Sequence, residues 1–460
     1  MSVNRGSAAK CVWIISVIIL NLIFAQSQLC WADGESILKV GAAAIEIKAD
    51  DGMTIGGGIH PGWVSGQEGK LRASALVVQA GGKTVCLVSC DVLGMTRDHL
   101  DVTCRIIESR LGIPFGNVMV TSTHTHHAPS TVTIHGYQRD QEFCRRVTEA
   151  IVDAARQAHV RARSSGSCKL YFWLGEESSV GQNSRLLLSD GTIFWVGNRE
   201  DAIRPTGPFD PELPILIFKR PDGALEALLF NHSTHNIGTL KPGKRSPGFY
   251  GLAAQEIERT HGGTVLFLPG AFGSTHSLSL PCKERVLRIK QSIEESFTFA
   301  KLQSIDKIAS NKREFTYSIR HFDEAVEDEA VSRYCRKRVA EPESVIKVFR
   351  RIRQNLTSHQ DEVRKTWLQV IRIGDIVIVG IPGELFTRLG QRIKRLSPFR
   401  YTYVVGVSND YIGYIADAEA YQLGGYQVWA GFHSLVEKGT GEKLVGETVS
   451  MLYQLANREN

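Results

Sequence analysis

The chain lacks most of the short motifs that announce a chemistry. It has no CxxC pair, no GxSxG elbow, no phosphate-binding P-loop, no GxGxxG after a strand and no HExxH. These absences argue against a cysteine zinc site, a serine hydrolase, a nucleoside triphosphatase, a dinucleotide enzyme and a thermolysin-like protease. No dense basic block interleaved with aromatics is present, and 54 Lys and Arg against 48 Asp and Glu leave a net charge of only +6. A nucleic-acid partner is therefore not expected. No fixed-period repeat or low-complexity linker interrupts the chain. What remains is ordinary globular composition: 460 residues, 43% hydrophobic and 22% charged. That length allows two to four domains or one large catalytic unit.

Only one long apolar run occurs, at residues 11–25, preceded by Arg5 and Lys10 without an acid and followed by small residues. This is signal-peptide anatomy, and the run is shorter than the roughly 20 residues that span a bilayer. The expectation is a leader over residues 1–32 and an exported chain, periplasmic or secreted, over 33–460. Cys86, Cys90, Cys104, Cys144, Cys168, Cys282 and Cys335 follow the leader. Seven is odd, so at least one thiol is free. Cys86 and Cys90 sit in an apolar strand and read as small core residues; one or two disulfides are open to the others.

From residue 71 the pattern runs strand (RASALVVQA), Gly81-Gly82 turn, strand (TVCLVSCD), helix over about 97–110 and strand (NVMVTST). Apolar strands joined through a helix indicate an α/β protein with mixed, partly parallel β-sheets flanked by helices. A helix is expected over about 141–162, further strands near 167–174, 213–218, 227–231, 264–268, 368–373, 375–381 and 401–407, and helices near 252–260 and 385–396. Residues 301–366 stand apart: glycine-free, dense in charge and read as a helical insertion. Its two readings are a solvated helix pair and a cap over an active site.

Histidine carries the chemical signal. Thr121-Ser-Thr-His124-Thr-His126-His127 follows one apolar strand, and Phe230-Asn-His232-Ser-Thr-His235 follows another. In a strand, positions i and i+2 share a face, so His124 and His126 would point into one site and His127 away. Open α/β sheets place ligands beyond the carboxyl ends of their strands, where both clusters fall. Zinc held by histidines needs further ligands. Glu384, in Pro382-Gly-Glu384 after a strand, is one candidate, and Asp91, at the end of TVCLVSCD, is another. Tyr411, Tyr414, Tyr421 and Tyr426 crowd the C-terminal region without a role that spacing assigns.

Taken in order, these segments resemble the neutral, non-lysosomal ceramidases, zinc amidases that hydrolyse the N-acyl bond of ceramide. The matches are Leu71-Arg-Ala-Ser-Ala-Leu76, Ser89-Cys-Asp91, His124-Thr-His126, Phe230 to His235, Leu266-Phe-Leu-Pro-Gly-Ala271, Pro382-Gly-Glu384, and Tyr414 with Tyr426 twelve residues on. The resemblance implies a Zn2+ ion held by His124, His235, Glu384 and Tyr414. It further implies that His126, Tyr426 and Arg185 bind the substrate carbonyl or its oxyanion, although the family's Asn-Arg is here Asn183-Ser184-Arg185. Zinc-activated water would attack the amide carbon, with Glu384 or His126 carrying the proton to the leaving amine. A lipid or small-molecule substrate follows, with contact to a membrane surface. The segment HTHHAPST replaces the family's glycines, and Gly248 and Ser274 stand where aspartates are usual. The family's C-terminal immunoglobulin-like domain is not expected, because the sequence stops at Asn460, soon after the tyrosine segment. Two alternatives therefore stand: the same zinc site acting on another amide or ester, and a non-catalytic extracellular binding protein that retains the fold.

Overall fold

A computed structural model describes residues 37–457 apart from 278 and 306. The expected leader lies outside the described residues. The described residues from Leu38 onward form one compact unit.

Within that unit one pattern occurs three times. Strands β1 (Lys39–Glu46), β2 (Arg72–Ala80) and β3 (Lys83–Cys90) run antiparallel in order; helix α1 (Arg97–Leu111) then crosses over to β4 (Val118–Ser122), which lies parallel to β3. After helix α2 (Gln141–Ser164) the pattern returns. Strands β5 (Lys169–Glu176), β6 (Glu212–Lys219) and β7 (Leu225–His232) are antiparallel, and helix α3 (Gly248–His261) leads to a parallel β8 (Thr264–Pro269). Helix α4 (Cys282–Phe299) and strand β9 (Lys301–Gln303), paired with β5, close this second unit. The third consists of β10 (Ile308–Ser318), β11 (Val363–Ile373), β12 (Ile376–Gly380), helix α7 (Thr387–Leu396) and a parallel β13 (Tyr401–Val405). Helices α5 (Glu324–Arg338) and α6 (Pro342–Thr357) are inserted between β10 and β11, and α8 (Thr440–Asn457) ends the described chain. A parallel neighbour requires a crossover, which explains why a helix stands between the last two strands of each unit.

Strand periodicity splits each sheet between two cores. On β2, Leu76 and Val78 face a core shared by all three sheets, while Ala73, Ala75 and Val77 face α1 and α2. On β7, Ala227 and Leu229 enter the shared core and Leu228 and Phe230 face α3. On β12, Ile376 and Ile378 go inward and Val377 and Val379 face α7 and α8. Both faces of these strands are apolar because both are covered. Each fully buried aliphatic side chain contributes about 1.5–3 kcal/mol. Packing between layers is close: a Cβ on Gly41 of β1 would lie 2.2 Å from the Ala158 carbonyl oxygen of α2.

Residues 301–366 depart from the expected helical insertion. Helices α5 and α6 are there, but 308–318 is an eleven-residue strand paired along its length with β11. Its alternation was hidden by charge: Phe315 and Tyr317 are buried, and the Lys312 ammonium rides 4.2 Å over the Phe115 ring. All seven described cysteines are free and buried. Burial pushes the Cys86 thiol up to about 12, consistent with a core residue rather than a redox group. Among the described residues no helix is long and apolar enough to cross a membrane.

Candidate metal centre

The candidate site residues leave the carboxyl ends of strands in each of the three units. Strand β4 stops at Ser122, and His124 adopts φ 58°, the left-handed region that costs a non-glycine residue about 1–3 kcal/mol. This turn, rather than strand alternation, swings the His124 ring toward His126. Its Nδ1 lies 2.7 Å from the Leu93 carbonyl oxygen. The Nδ1 of His126 lies 3.2 Å from the Gly57 carbonyl oxygen. Gly57 itself has φ 104°, and a Cβ there would sit 2.6 Å from the His126 ring. His127 points away, its Nε2 accepting from the Gly238 amide at 2.8 Å.

His235 lies three residues past the end of β7, with Nδ1 2.7 Å from the Thr275 carbonyl oxygen. His232 is a core residue bonded to the Tyr250 hydroxyl and the Glu177 carbonyl. Glu384 follows β12 and pairs in parallel with Tyr414, which follows β13. Its Oε2 lies 3.1 Å from His235 Nε2 and 3.5 Å from His124 Nε2, while Oε1 accepts from the Tyr411 hydroxyl at 2.7 Å. The Tyr414 hydroxyl is 3.3 Å from His235 Nε2. Phe272 packs against both rings, at centroid distances of 4.8 Å to His124 and 4.9 Å to His235.

These contacts assign the proton positions. A carbonyl oxygen only accepts, so Nδ1 carries a proton in His124, His126 and His235, and Nε2 is the atom that each ring turns to the cluster. Burial holds the His124 imidazole neutral by pushing its pKa down to about 4. For Glu384, burial acts upward but the neighbouring imidazoles more than offset it, leaving the carboxyl at about 2 and ionised. The Nε2 atoms of His235 and His124 thus converge on the Glu384 carboxylate, a set of nitrogen and oxygen donors of the kind that can hold a zinc ion. The spacings of 3.1, 3.3 and 3.5 Å among His235, His124, Glu384 and Tyr414 fit it. Four ligands held about 2.0–2.1 Å from one ion in a tetrahedron stand about 3.3 Å apart. The ligand nitrogens of His124, His126 and His235 lie within 4.8 Å of one another, and His126 Nε2 is buried without a hydrogen-bond partner.

A second group borders this cluster. Tyr426 opens a short 3-10 turn, with its ring stacked on Trp195 at 4.7 Å and on His433 at 4.8 Å. Its hydroxyl is 3.2 Å from His135 Nε2. Arg185 is 2% exposed, and its guanidinium donates to Gln427 Oε1 at 2.9 Å and to the Gly424 and Ala420 carbonyl oxygens at 2.7 and 3.3 Å. It clamps the segment that carries Tyr426, with its donors committed to that segment. Asp91 stays apart from the cluster: it accepts from the Arg72 amide and the Thr123 hydroxyl, tying β2 to the start of the His124 loop. Ser274 accepts from the Thr387 amide at the start of α7.

Sequence reasoning named Tyr411 without a role and passed over His135, Trp195, Phe272 and His276, which stacks on His235 at 4.4 Å. For Tyr411 a signal existed, since it precedes Tyr414 by three residues. For His135 and Trp195 none did, because Tyr426, the partner they share, lies more than 200 residues away from both in sequence.

Comparison with known proteins identifies the fold. The crystal structure of neutral ceramidase from Pseudomonas aeruginosa superposes with a TM-score of 0.70 at 18% identity, covering 92% of this chain and 75% of that one. A structure of a ceramidase complexed with C2 gives 0.71 at 18% identity, covering 92% and 76%. The chain therefore has the fold of a neutral ceramidase. In sequence, 70 residues are 36% identical to neutral ceramidase B of Dictyostelium discoideum, a match that spans 13% of this chain and 10% of that protein. No family model matches the chain.

Proposed function

We propose that this chain is an exported zinc-dependent amidohydrolase that cleaves the N-acyl bond of a lipid such as ceramide. One observation carries the reading: the His124 and His235 Nε2 atoms, the Glu384 carboxylate and the Tyr414 hydroxyl converge at tetrahedral spacing beyond the strand ends. The ceramidase fold and the ceramidase names of the neighbours support the substrate class.

Zinc held by His124, His235, Glu384 and Tyr414 would polarise the scissile carbonyl and lower the pKa of water toward roughly 7. The chain's own residues account for the protons. Glu384 has Oε1 bonded to Tyr411 and Oε2 turned to the histidines, which leaves it no free oxygen for transfer. His126 has a free, buried Nε2. It takes one proton from the attacking water as the carbon–oxygen bond forms. The resulting imidazolium donates to the oxyanion and then passes that proton to nitrogen as the carbon–nitrogen bond breaks, giving a free acid and an amine. Phe272 and the buried tyrosines exclude bulk water, which strengthens each of these contacts. Arg185 acts through the Tyr426 segment that it clamps.

Elemental analysis of purified protein, with hydrolysis of N-acylsphingosine, simple fatty amides and esters by wild type and His124→Ala, tests the proposal. Zinc bound at one equivalent and amide hydrolysis lost in the variant are expected. Metal-free active protein, or activity unchanged by the substitution, would overturn it.

A further inference from the structure

The Tyr426 hydroxyl faces a chemistry that the metal cluster does not dictate. His135 Nδ1 lies 3.1 Å from the Gly58 carbonyl oxygen, so Nδ1 carries a proton. Burial keeps the ring neutral by pushing it down to about 4, so Nε2 holds a lone pair. The Tyr426 hydroxyl, 3.2 Å away, then directs its one proton to that lone pair. Its remaining capacity is to accept. The Tyr426 ring is fixed between Trp195 and His433 and stands 5.8 Å from the Tyr414 ring, beside the proposed ligands. His135 is held in turn by Phe349 of α6 and by the His433 ring.

We infer that Tyr426, oriented by His135 as its positioning residue, accepts a hydrogen bond from the scissile amide N–H, in place of the carbonyl or oxyanion contact that the resemblance implies, and so selects secondary amides over esters. The inference rests on the amidohydrolase reading and names its substrate class. An ester places an oxygen lone pair where the amide places N–H, and two acceptors then face each other in a buried site. A site built to bond a donor discriminates strongly against an analogue that lacks it.

The test uses the zinc-loaded full chain with three substrates sharing one acyl group: a secondary amide, its N-methyl analogue and the corresponding ester. Esters are intrinsically more reactive, so the diagnostic quantity is the change in the amide-to-ester ratio of kcat/KM. That ratio should fall about ten- to hundredfold in Tyr426→Phe and in His135→Phe, with zinc content unchanged. His135→Gln should retain most of it, because a carboxamide can accept from Tyr426 and donate to Gly58. The double Phe variant should be no worse than Tyr426→Phe, since His135 acts only through the hydroxyl. A ratio unchanged in Tyr426→Phe, or effects that add in the double variant, would overturn the inference. Wild type inert on all three substrates would sink the amidohydrolase reading instead. Nitrogen-15 NMR of labelled imidazoles then still decides the hydrogen bond: one Nε2 resonance should move in Tyr426→Phe, and no movement counts against it.

Discussion

The two halves of the site are built in different ways. The metal half rests on strand ends: His124, His235 and Glu384 follow β4, β7 and β12, and the two histidines are tied by Nδ1 to backbone carbonyls nearby. The tyrosine half rests on side chains packed from distant segments. Tyr426 is walled by Trp195, His433 and Phe349 of α6, while Glu327 of α5 accepts from the Ala430 amide. Helices α5 and α6 thus neither float in solvent nor form a bare lid; they buttress the segment beside the metal cluster. Backbone anchoring fixes ligands to tenths of an ångström, whereas an aromatic wall fixes a ring but transmits any loosening of the helices.

The largest effect should come from the metal half. Glu384→Gln removes the charge that balances a divalent ion, and metal affinity should fall by more than about a hundredfold, with hydrolysis lost. Tyr411→Phe, which frees only Oε1, should cost about ten- to a hundredfold in zinc affinity, read by competition with a chelating dye. Equal losses in the two variants would mean that Glu384 is not a direct ligand.

The tyrosine half should answer differently. Phe349 is fully buried against Tyr426, Trp429, His433 and His135. Phe349→Ala should destabilise the protein by about 3–5 kcal/mol in urea unfolding. Activity at low temperature should drop while bound zinc is retained. Zinc lost in step with activity would show that the two halves are one mechanical unit.

This division also explains what was legible beforehand. Histidines and an acid at strand ends leave a local trace, and the four expected ligands His124, His235, Glu384 and Tyr414 lie together. The threefold sheet pattern left none, because the units share connectivity and not residues: His124, His235 and Glu384 are reached through unrelated local sequences. The β10 alternation was masked by Lys312, Arg313 and Glu314, whose charged ends leave an apolar face beneath. Tyr426 was named from a resemblance, but its partners His135, Trp195 and Phe349 come from three separate segments that only the folded chain unites.

Gly57 joins the halves, since its carbonyl holds His126 and the next carbonyl, of Gly58, holds His135. Gly57→Ala demands φ 104° of an alanine and drives its methyl into the His126 ring. A strain of about 1–3 kcal/mol is expected, with kcat falling and zinc content unchanged. If zinc leaves as well, His126 belongs to the ligand set, and the division drawn between proton carrier and ligands fails.

The smallest effect concerns the loop that carries Gly57. Asp51 accepts from the Gly66 amide, the Arg245 guanidinium and the Ser65 hydroxyl, which closes the loop from 51 to 66. The same contacts, the Gly66 amide foremost, hold its carboxyl down at about 2 against the ordinary 3.8. A carboxyl whose pKa is lower in the folded state stabilises that state above its unfolded value and loses the contribution as pH falls toward the folded one. Amide exchange at Gly57 and Gly66 should therefore quicken, relative to its intrinsic rate, between about pH 4 and pH 2 in the wild type. Asp51→Asn, which keeps the shape without the charge, should show faster exchange at neutral pH and no such step. Because Asp51 is largely exposed and screened, the effect of Asp51→Asn at neutral pH should remain local, leaving zinc and the strand-end ligands in place. Loss of zinc from Asp51→Asn at neutral pH would mean that this loop, rather than the sheets, holds the metal half together.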